Sequence, residues 1–338
     1  MSTPESIDIH FHVVPSEFYD EVRRGAFRRW VEIARRGGEE HMVYHPPAGV
    51  VLEPGGALEA ECTDPQLMVR GLDRRGLDAA VIGPSPGQFY YWADAETAEQ
   101  IARVINDGIA GIAKAHPDRM FPMGSLPMQD GERAARELER AVTRLGMRAF
   151  EICTHINGTD LDDPRFAPVF AAAARHGTPI FLHPQNWGEM RRLQEYHLWN
   201  LVGFPYETGL AAARLIAGGV FERHPGLKII LAHGGGYFPY QIGRLDHGYN
   251  VRGELHDRLP KPPSAYLGGI YCDTLTHNAT SLRFLADRLG ADHVVIGTDY
   301  PFDMGDESPV ESVRAARLGE EREADVLGRN ILRLIGAA

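Results

Sequence analysis

The chain has 338 residues, 43% hydrophobic and 24% charged, with 35 Lys and Arg against 46 Asp and Glu for a formal net charge of −11. This is the composition of a folded globular protein, and its charge, unrelieved by any basic cluster, disfavours nucleic acid as a partner. The N-terminus lacks a cationic stretch followed by an apolar run, and no segment approaches the ~18 uninterrupted apolar residues of a membrane span, so a cytoplasmic protein with no membrane partner is expected.

In chain order, short β-branched runs at residues 7–12, 79–83, 121–126, 147–154, 179–183, 228–233, 269–274 and 293–299 alternate with longer amphipathic stretches. Helices are expected at 65–75, 95–115, 131–145, 165–175 and 208–223, with a last helical region over 308–335 that Ser308-Pro309 opens as N-cap and first-turn proline. Eight strands alternating with helices predict a closed (β/α)8 TIM barrel, and 338 residues suit one such domain. Residues 14–63 do not fit the repeat. This Gly-, Pro- and Glu-rich stretch, which includes His45-Pro46-Pro47-Ala48-Gly49, is far longer than the ~2–6 residues of a normal βα loop. It reads as an insertion over the active site, which barrels of this class place at the C-terminal ends of their strands. Cys62, Cys153 and Cys272 are odd in number and far apart, which predicts buried free thiols rather than disulfides or a structural zinc cluster.

The chemistry begins in the first strand, Ile7-Asp8-Ile9-His10-Phe11-His12. Strand alternation sends His10 and His12 to the same face, with Asp8, and puts Ile7, Ile9 and Phe11 towards a helix layer. A lone His-x-His is weak evidence for a metal. However, the fifth strand ends in His183, the sixth in His233-Gly234-Gly235-Gly236 and the eighth in Asp299, and a closed barrel gathers those ends into one ring. Taken singly, each histidine is also explained as a hydrogen-bonded core residue and Asp299 as a helix cap. Two other patterns are rejected. Gly83-Pro84-Ser85-Pro86-Gly87 matches the serine-hydrolase elbow only formally, because Pro86 has no N–H for an oxyanion hole. The triple glycine is not a dinucleotide loop, since Pro239 stands where that motif needs glycine.

Together these residues resemble the mononuclear-metal branch of the amidohydrolase superfamily. More closely, Asp8-Ile9-His10-Phe11-His12, Phe89-Tyr90-Tyr91-Trp92-Ala93, Ser125-Leu126-Pro127-Met128-Gln129, Thr154-His155-Ile156-Asn157, Ala232-His233-Gly234-Gly235-Gly236 and Gly297-Thr298-Asp299-Tyr300-Pro301-Phe302 resemble the metal-dependent decarboxylases that include 2-amino-3-carboxymuconate-6-semialdehyde decarboxylase. The resemblance implies one divalent ion, usually zinc, held by His10, His12, His183 and Asp299. It implies that His233 works beside the ion as an acid–base group, with Asp299 also able to move a proton. It further implies Trp92 and Phe302 in the substrate pocket, and a homodimer in which Arg244 reaches the neighbouring subunit's site to grip a substrate carboxylate.

The reaction so implied is non-oxidative decarboxylation of a small aromatic or unsaturated acid. A Lewis acid and a proton donor suffice for that, and no organic cofactor is required. A hydrolase or hydratase on the same scaffold, and a metal-binding protein without catalysis, are the alternatives. The substrate contacts favour a related acid, such as a hydroxybenzoate-like or other unsaturated carboxylic acid, over the substrate of the semialdehyde decarboxylase. The arginine which that enzyme carries in its insertion has no counterpart in residues 55–65, and its pocket tryptophan falls near Asn200, with Trp199 beside it and His197 replacing another aromatic.

Overall fold

The computed structural model describes residues 3–48, 58–185 and 191–337, the side chain of Arg191 excepted. All eight predicted runs form strands of one parallel sheet: β1 (Ile7–Val13), β2 (Ala79–Pro84), β3 (Met120–Ser125), β4 (Ala149–Cys153), β5 (Ile180–His183), β6 (Ile229–Leu231), β7 (Ile270–Asp273) and β8 (Val294–Val295), paired in chain order. The sheet closes on itself. Ile9 N–H donates to the Ile296 carbonyl at 3.0 Å, Asp299 N–H to His10 at 2.8 Å, and His12 N–H to Tyr300 at 2.9 Å. Strands such as Ile229-Ile230-Leu231 are covered on both faces, which is why they read as unbroken apolar runs.

The helices Pro65–Arg75 and Ala95–Ala115 have the predicted bounds. Their starts are set by capping carboxylates, with Asp64 accepting from Gln66 N–H at 2.8 Å and Asp94 from Thr97 N–H at 3.0 Å. Two details differ from expectation. The helix expected from residue 208 starts at Phe204 because Pro205 lies in its first turn, where a missing N–H is harmless. Ser308 precedes the helix Pro309–Ala315, but its hydroxyl makes no capping bond.

The first strand departs from strict alternation. Asp8 pairs with Ala80 but Phe11 with Ile82, so β1 carries one extra residue, a bulge, across Ile9 and His10. Bulges re-aim side chains, and here Ile7 and Ile9 pack with Phe181 and the C-terminal Ile331 while only Phe11 joins the helix-side core. The expectation that Ile7 and Ile9 face the helix layer is therefore corrected.

Residues 14–63 include a helix (Ser16–Arg23), an antiparallel hairpin (Val31–Arg36 with Glu39–Tyr44) and a short helix (Ala60–Thr63); residues 49–57 lie outside the described ones. Phe18, Tyr19 and Met42 pack into the main core with Tyr90 and Trp92, so the described part of this stretch is held by burial. Cys62, Cys153 and Cys272 are buried and none forms a disulfide. Among the described residues, no helix is long and apolar enough to cross a membrane.

Candidate metal centre

Barrel closure brings His10, His12, His183, His233 and Asp299 together at the C-terminal ends of the strands. The rings of His10, His12 and His183 stand mutually edge-on with centroids 4.9–5.0 Å apart, and His233 lies 5.0 Å from His183. Asp299 is at their centre. Its Oδ1 is 3.1 Å from Nε2 of both His10 and His12 and 4.0 Å from Nε2 of His183, while Oδ2 is 3.5 Å from Nε2 of His233.

The backbone reaches this arrangement in uncommon conformations. The sixth and eighth strands end before His233 and Asp299, and both residues have positive φ, 56° and 61°, a region few non-glycine residues adopt. This differs from the expected strands ending on those side chains. After His233 the three glycines are sterically required: a Cβ on Gly235 would lie 2.6 Å from Cys272 Sγ, and one on Gly236 2.0 Å from the Pro205 carbonyl oxygen.

Second partners orient the rings. His10 Nδ1 is 2.7 Å from Asp273 Oδ2, and His12 Nδ1 is 3.1 Å from the Pro84 carbonyl, which turns each Nε2 towards Asp299. Asp273 also accepts from the N–H groups of His233 (3.0 Å), Gly234 (2.7 Å) and Leu275 (3.1 Å). Asp8 braces the neighbouring turn, accepting from the N–H of His10 at 2.8 Å and of Thr298 at 3.0 Å.

The residues fit a divalent ion. His10 Nε2 and both ring nitrogens of His183 are buried without a hydrogen bond, a costly state unless something binds them. One ligand atom from each of His10, His183, His233 and Asp299 lies within 4.8 Å of the others. Imidazoles with one carboxylate suit zinc or manganese. The field agrees. Burial opposes charge on His10, but Asp299 and Asp273 outweigh it and raise its pKa well above the ordinary value. Burial opposes charge on Asp299 too, yet the surrounding histidines, His10 foremost, hold its carboxyl well below the usual range. His183 is held well below its ordinary value by burial and by its histidine neighbours, as suits a neutral ligand.

The centre opens into a cavity of about 450 Å³ that His183 and Asp299 share with aromatic walls, among them Tyr44, Trp92, Trp199 and Phe302. Trp92 and Phe302 line the cavity, and so do His197 and Asn200. Val14, Tyr19, Met42, Tyr44, Glu59 and Cys62 line it from the segment after β1. Arg244 does not line it; it is exposed on the helix Phe238–Val251.

The sequence pattern of the amidohydrolase family matches residues 7–337. The chain belongs to the amidohydrolase family. It is 34% identical over 332 residues to 2-amino-3-carboxymuconate-6-semialdehyde decarboxylase of Dictyostelium discoideum, covering 98% of this chain and 91% of that one. Among solved structures, 5-carboxyvanillate decarboxylase from Sphingomonas paucimobilis is similar with a TM-score of 0.82 and 26% identity, covering 100% of both chains. The corresponding enzyme of Novosphingobium aromaticivorans, complexed with manganese and 4-hydroxy-3-methoxy-5-nitrobenzoic acid, has a TM-score of 0.76 and 26% identity over 82% of this chain and 81% of its own.

Two buried carboxyls escaped the sequence reading. Asp273 ends the seventh strand as His183 ends the fifth, so the same signal could have found it. Glu151 sits inside β4 with neither oxygen hydrogen-bonded and Oε1 3.8 Å from His12 Nδ1. Burial, the largest influence, pushes its pKa well above the carboxylate range, and no end-of-strand pattern marks it.

Elemental analysis should find about one equivalent of transition metal per chain, as one ligand cluster requires. His12→Ala and His183→Ala should each lose it, whereas His233→Ala should keep it. Full metal occupancy in the first two variants would remove those residues from the ligand set, and loss in the third would make His233 a ligand.

Proposed function

We propose that this protein is a metal-dependent, non-oxidative decarboxylase of a small aromatic or unsaturated carboxylic acid. The observation that carries the reading is the union of one imidazole–carboxylate centre with a ring-sized aromatic cavity that shares His183 and Asp299. In this reading the ion is zinc, held by His10, His12, His183 and Asp299. When bound it supplies Lewis acidity to the substrate's oxygen atoms. Residues 14–63 serve as an insertion over the active site within one barrel domain, and the protein works in the cytoplasm.

Decarboxylation exchanges a carboxylate for a proton: the substrate carbon gains H⁺, and the electrons of the breaking C–C bond return to the substrate as CO₂ leaves. His233 suits the proton-handling role. Its side chain is 15% exposed against 0% for His10, 1% for His12 and 4% for His183, so it is the least buried ring of the cluster. The Asp273 carboxylate fixes its backbone, and Asp299 lies within reach to pass a proton on.

No Lys or Arg occurs among the described cavity-lining residues, so a substrate carboxylate away from the metal needs a cation from elsewhere. Arg244 supplies it from a second copy of the chain. Its helix exposes Tyr240 (74%), whose ring meets the exposed Phe284 at 5.8 Å, an aromatic surface of the kind subunit interfaces use.

A panel of hydroxybenzoates and muconate-type acids, assayed for CO₂ beside esters and lactones assayed for hydrolysis, tests the activity. CO₂ release from at least one acid is expected; hydrolysis without any CO₂ release would replace this reading by the hydrolase alternative. His233→Ala should lower turnover by ~10²–10⁴.

Subunit exchange tests Arg244. Mixed dimers of inactive Arg244→Ala and inactive His233→Ala chains should regain about one working site in two, since one pocket then receives both native residues. Absence of recovery despite demonstrated exchange would show that Arg244 does not act across an interface.

A further inference from the structure

We propose that Arg75 is a positioning residue for the metal centre: its guanidinium fixes the loop that carries Asp299 and so sets how tightly the ion is held. The inference rests on the reading of Asp299 as a metal ligand and not on the reaction. Arg75 ends the helix Pro65–Arg75 with its side chain 2% exposed, whereas that of Arg74 is 51% exposed. A cation suits the last turn of any helix, and Arg74 already serves there in solvent. Burying a second one is costly unless partners compensate, and an apolar side chain of similar volume would stabilise the fold at least as well. What the guanidinium adds is geometry, which its partners define.

These partners converge on the loop after β8. Nε donates to the Asp306 carbonyl at 3.3 Å, Nη2 pairs with the Glu307 carboxylate, and the guanidinium lies over the Tyr300 ring, 4.8 Å from its centroid. Nη1 returns to the Gly71 carbonyl of its own helix at 3.3 Å. A planar guanidinium can stack on a ring and donate in its own plane at once, which an ammonium cannot. The Tyr300 ring is fully buried and stacks on Phe11 at 4.1 Å. A Cβ on Gly71 would lie 2.5 Å from Tyr300 Cε2, so the helix that ends in Arg75 approaches this ring as closely as glycine permits. Phe11 lies between His10 and His12 in the chain, and Tyr300 follows Asp299, so the stack of Arg75, Tyr300 and Phe11 bears directly on the neighbours of three ligands.

Asp299 needs such support. Its Oδ1 faces His10, His12 and His183 and its Oδ2 faces His233, so the aim of the carboxylate comes from its backbone, which stands at a positive φ of 61°. That backbone belongs to a tight loop. Phe302 N–H donates to the Asp299 carbonyl at 3.0 Å, Gly305 N–H to that of Phe302 at 3.0 Å, and Asp306 N–H to that of Thr298 at 2.8 Å. Asp306 thus closes the loop through its N–H and ties it to Arg75 through its carbonyl. As Asp273 and the Pro84 carbonyl orient the rings of His10 and His12, Arg75 and Tyr300 orient Asp299. Outer contacts of this kind change metal affinity by ~10–100-fold.

Chelator competition for zinc and the visible spectrum of the cobalt(II)-loaded protein test this without turnover. Arg75→Met, which keeps the length of the side chain and loses its fork, should weaken zinc binding by about tenfold and shift the cobalt spectrum. Tyr300→Leu should do the same. Tyr300→Phe keeps the stack and gives up only hydroxyl contacts of 3.4 and 3.5 Å to the Glu61 and Leu67 carbonyls, so it should bind as wild type does. Glu307→Gln should also leave affinity unchanged, because that carboxylate is 69% exposed. Val169→Ala, a truncation of a fully buried residue on the helix Ala167–His176, controls for stability: the metal-free protein should melt earlier with zinc affinity and cobalt spectrum intact. Should Arg75→Met not fold, Arg75→Lys keeps the charge without the planar fork and carries the same expectation. Unchanged affinity and spectrum in the Arg75 variant and in Tyr300→Leu, or an equal loss of affinity in Val169→Ala, would overturn the proposal while the metal centre stands. A wild-type protein that binds no ion would remove the metal centre and this role of Arg75 together.

Discussion

The site depends on one buried carboxylate. Asp273, at the end of β7, takes hydrogen bonds from the His10 ring on β1 and from the backbone of His233, Gly234 and Leu275, so it ties the ends of the first, sixth and seventh strands together beneath the histidine cluster. Burial alone would raise its pKa, but the contact with His10 and these donors holds the group below the ordinary carboxylate range. Its loss would leave several buried donors unpaired, each at about 1–3 kcal/mol, in the place where ring orientation must be kept to fractions of an ångström.

Around that anchor the chain accepts unfavourable local geometry. His233 and Asp299 have left-handed backbones, and the glycines after His233 pass so close to Cys272 and Pro205 that no side chain fits. Such conformations persist where the surroundings over-determine them. Here the determinants are Asp273 on one side and the hydrogen bonds that close the barrel at His10 and Asp299 on the other. Metal affinity, proton transfer and substrate access therefore draw on one rigid ring of strand ends.

Much of this was legible in the sequence. Parallel strands buried on both faces are apolar runs, so a polar residue at the end of such a run stands out, which is how His183 and the neighbourhoods of His233 and Asp299 were found. The β1 bulge was not legible, because an inserted residue preserves the apolar and polar letters while changing which way they point. Asp273 carried the same end-of-strand signal but lacked a motif to draw attention to it. The cavity walls were only partly readable. Trp92 and Phe302 lie in motifs near strand ends, whereas Tyr19, Met42 and Tyr44 reach the cavity through the packing of a helix and hairpin whose placement no local pattern encodes. Gln88 was equally silent, since a buried amide oxygen without a partner is visible only once its surroundings are known.

The central claim is that one divalent ion at this centre makes the protein a decarboxylase. Stripping the protein of metal and restoring manganese in measured increments, while following CO₂ release from a hydroxybenzoate substrate, tests it most directly. The account predicts negligible release from the stripped protein and a linear rise that levels off at about one ion per chain. Undiminished CO₂ release from the metal-free protein would contradict it.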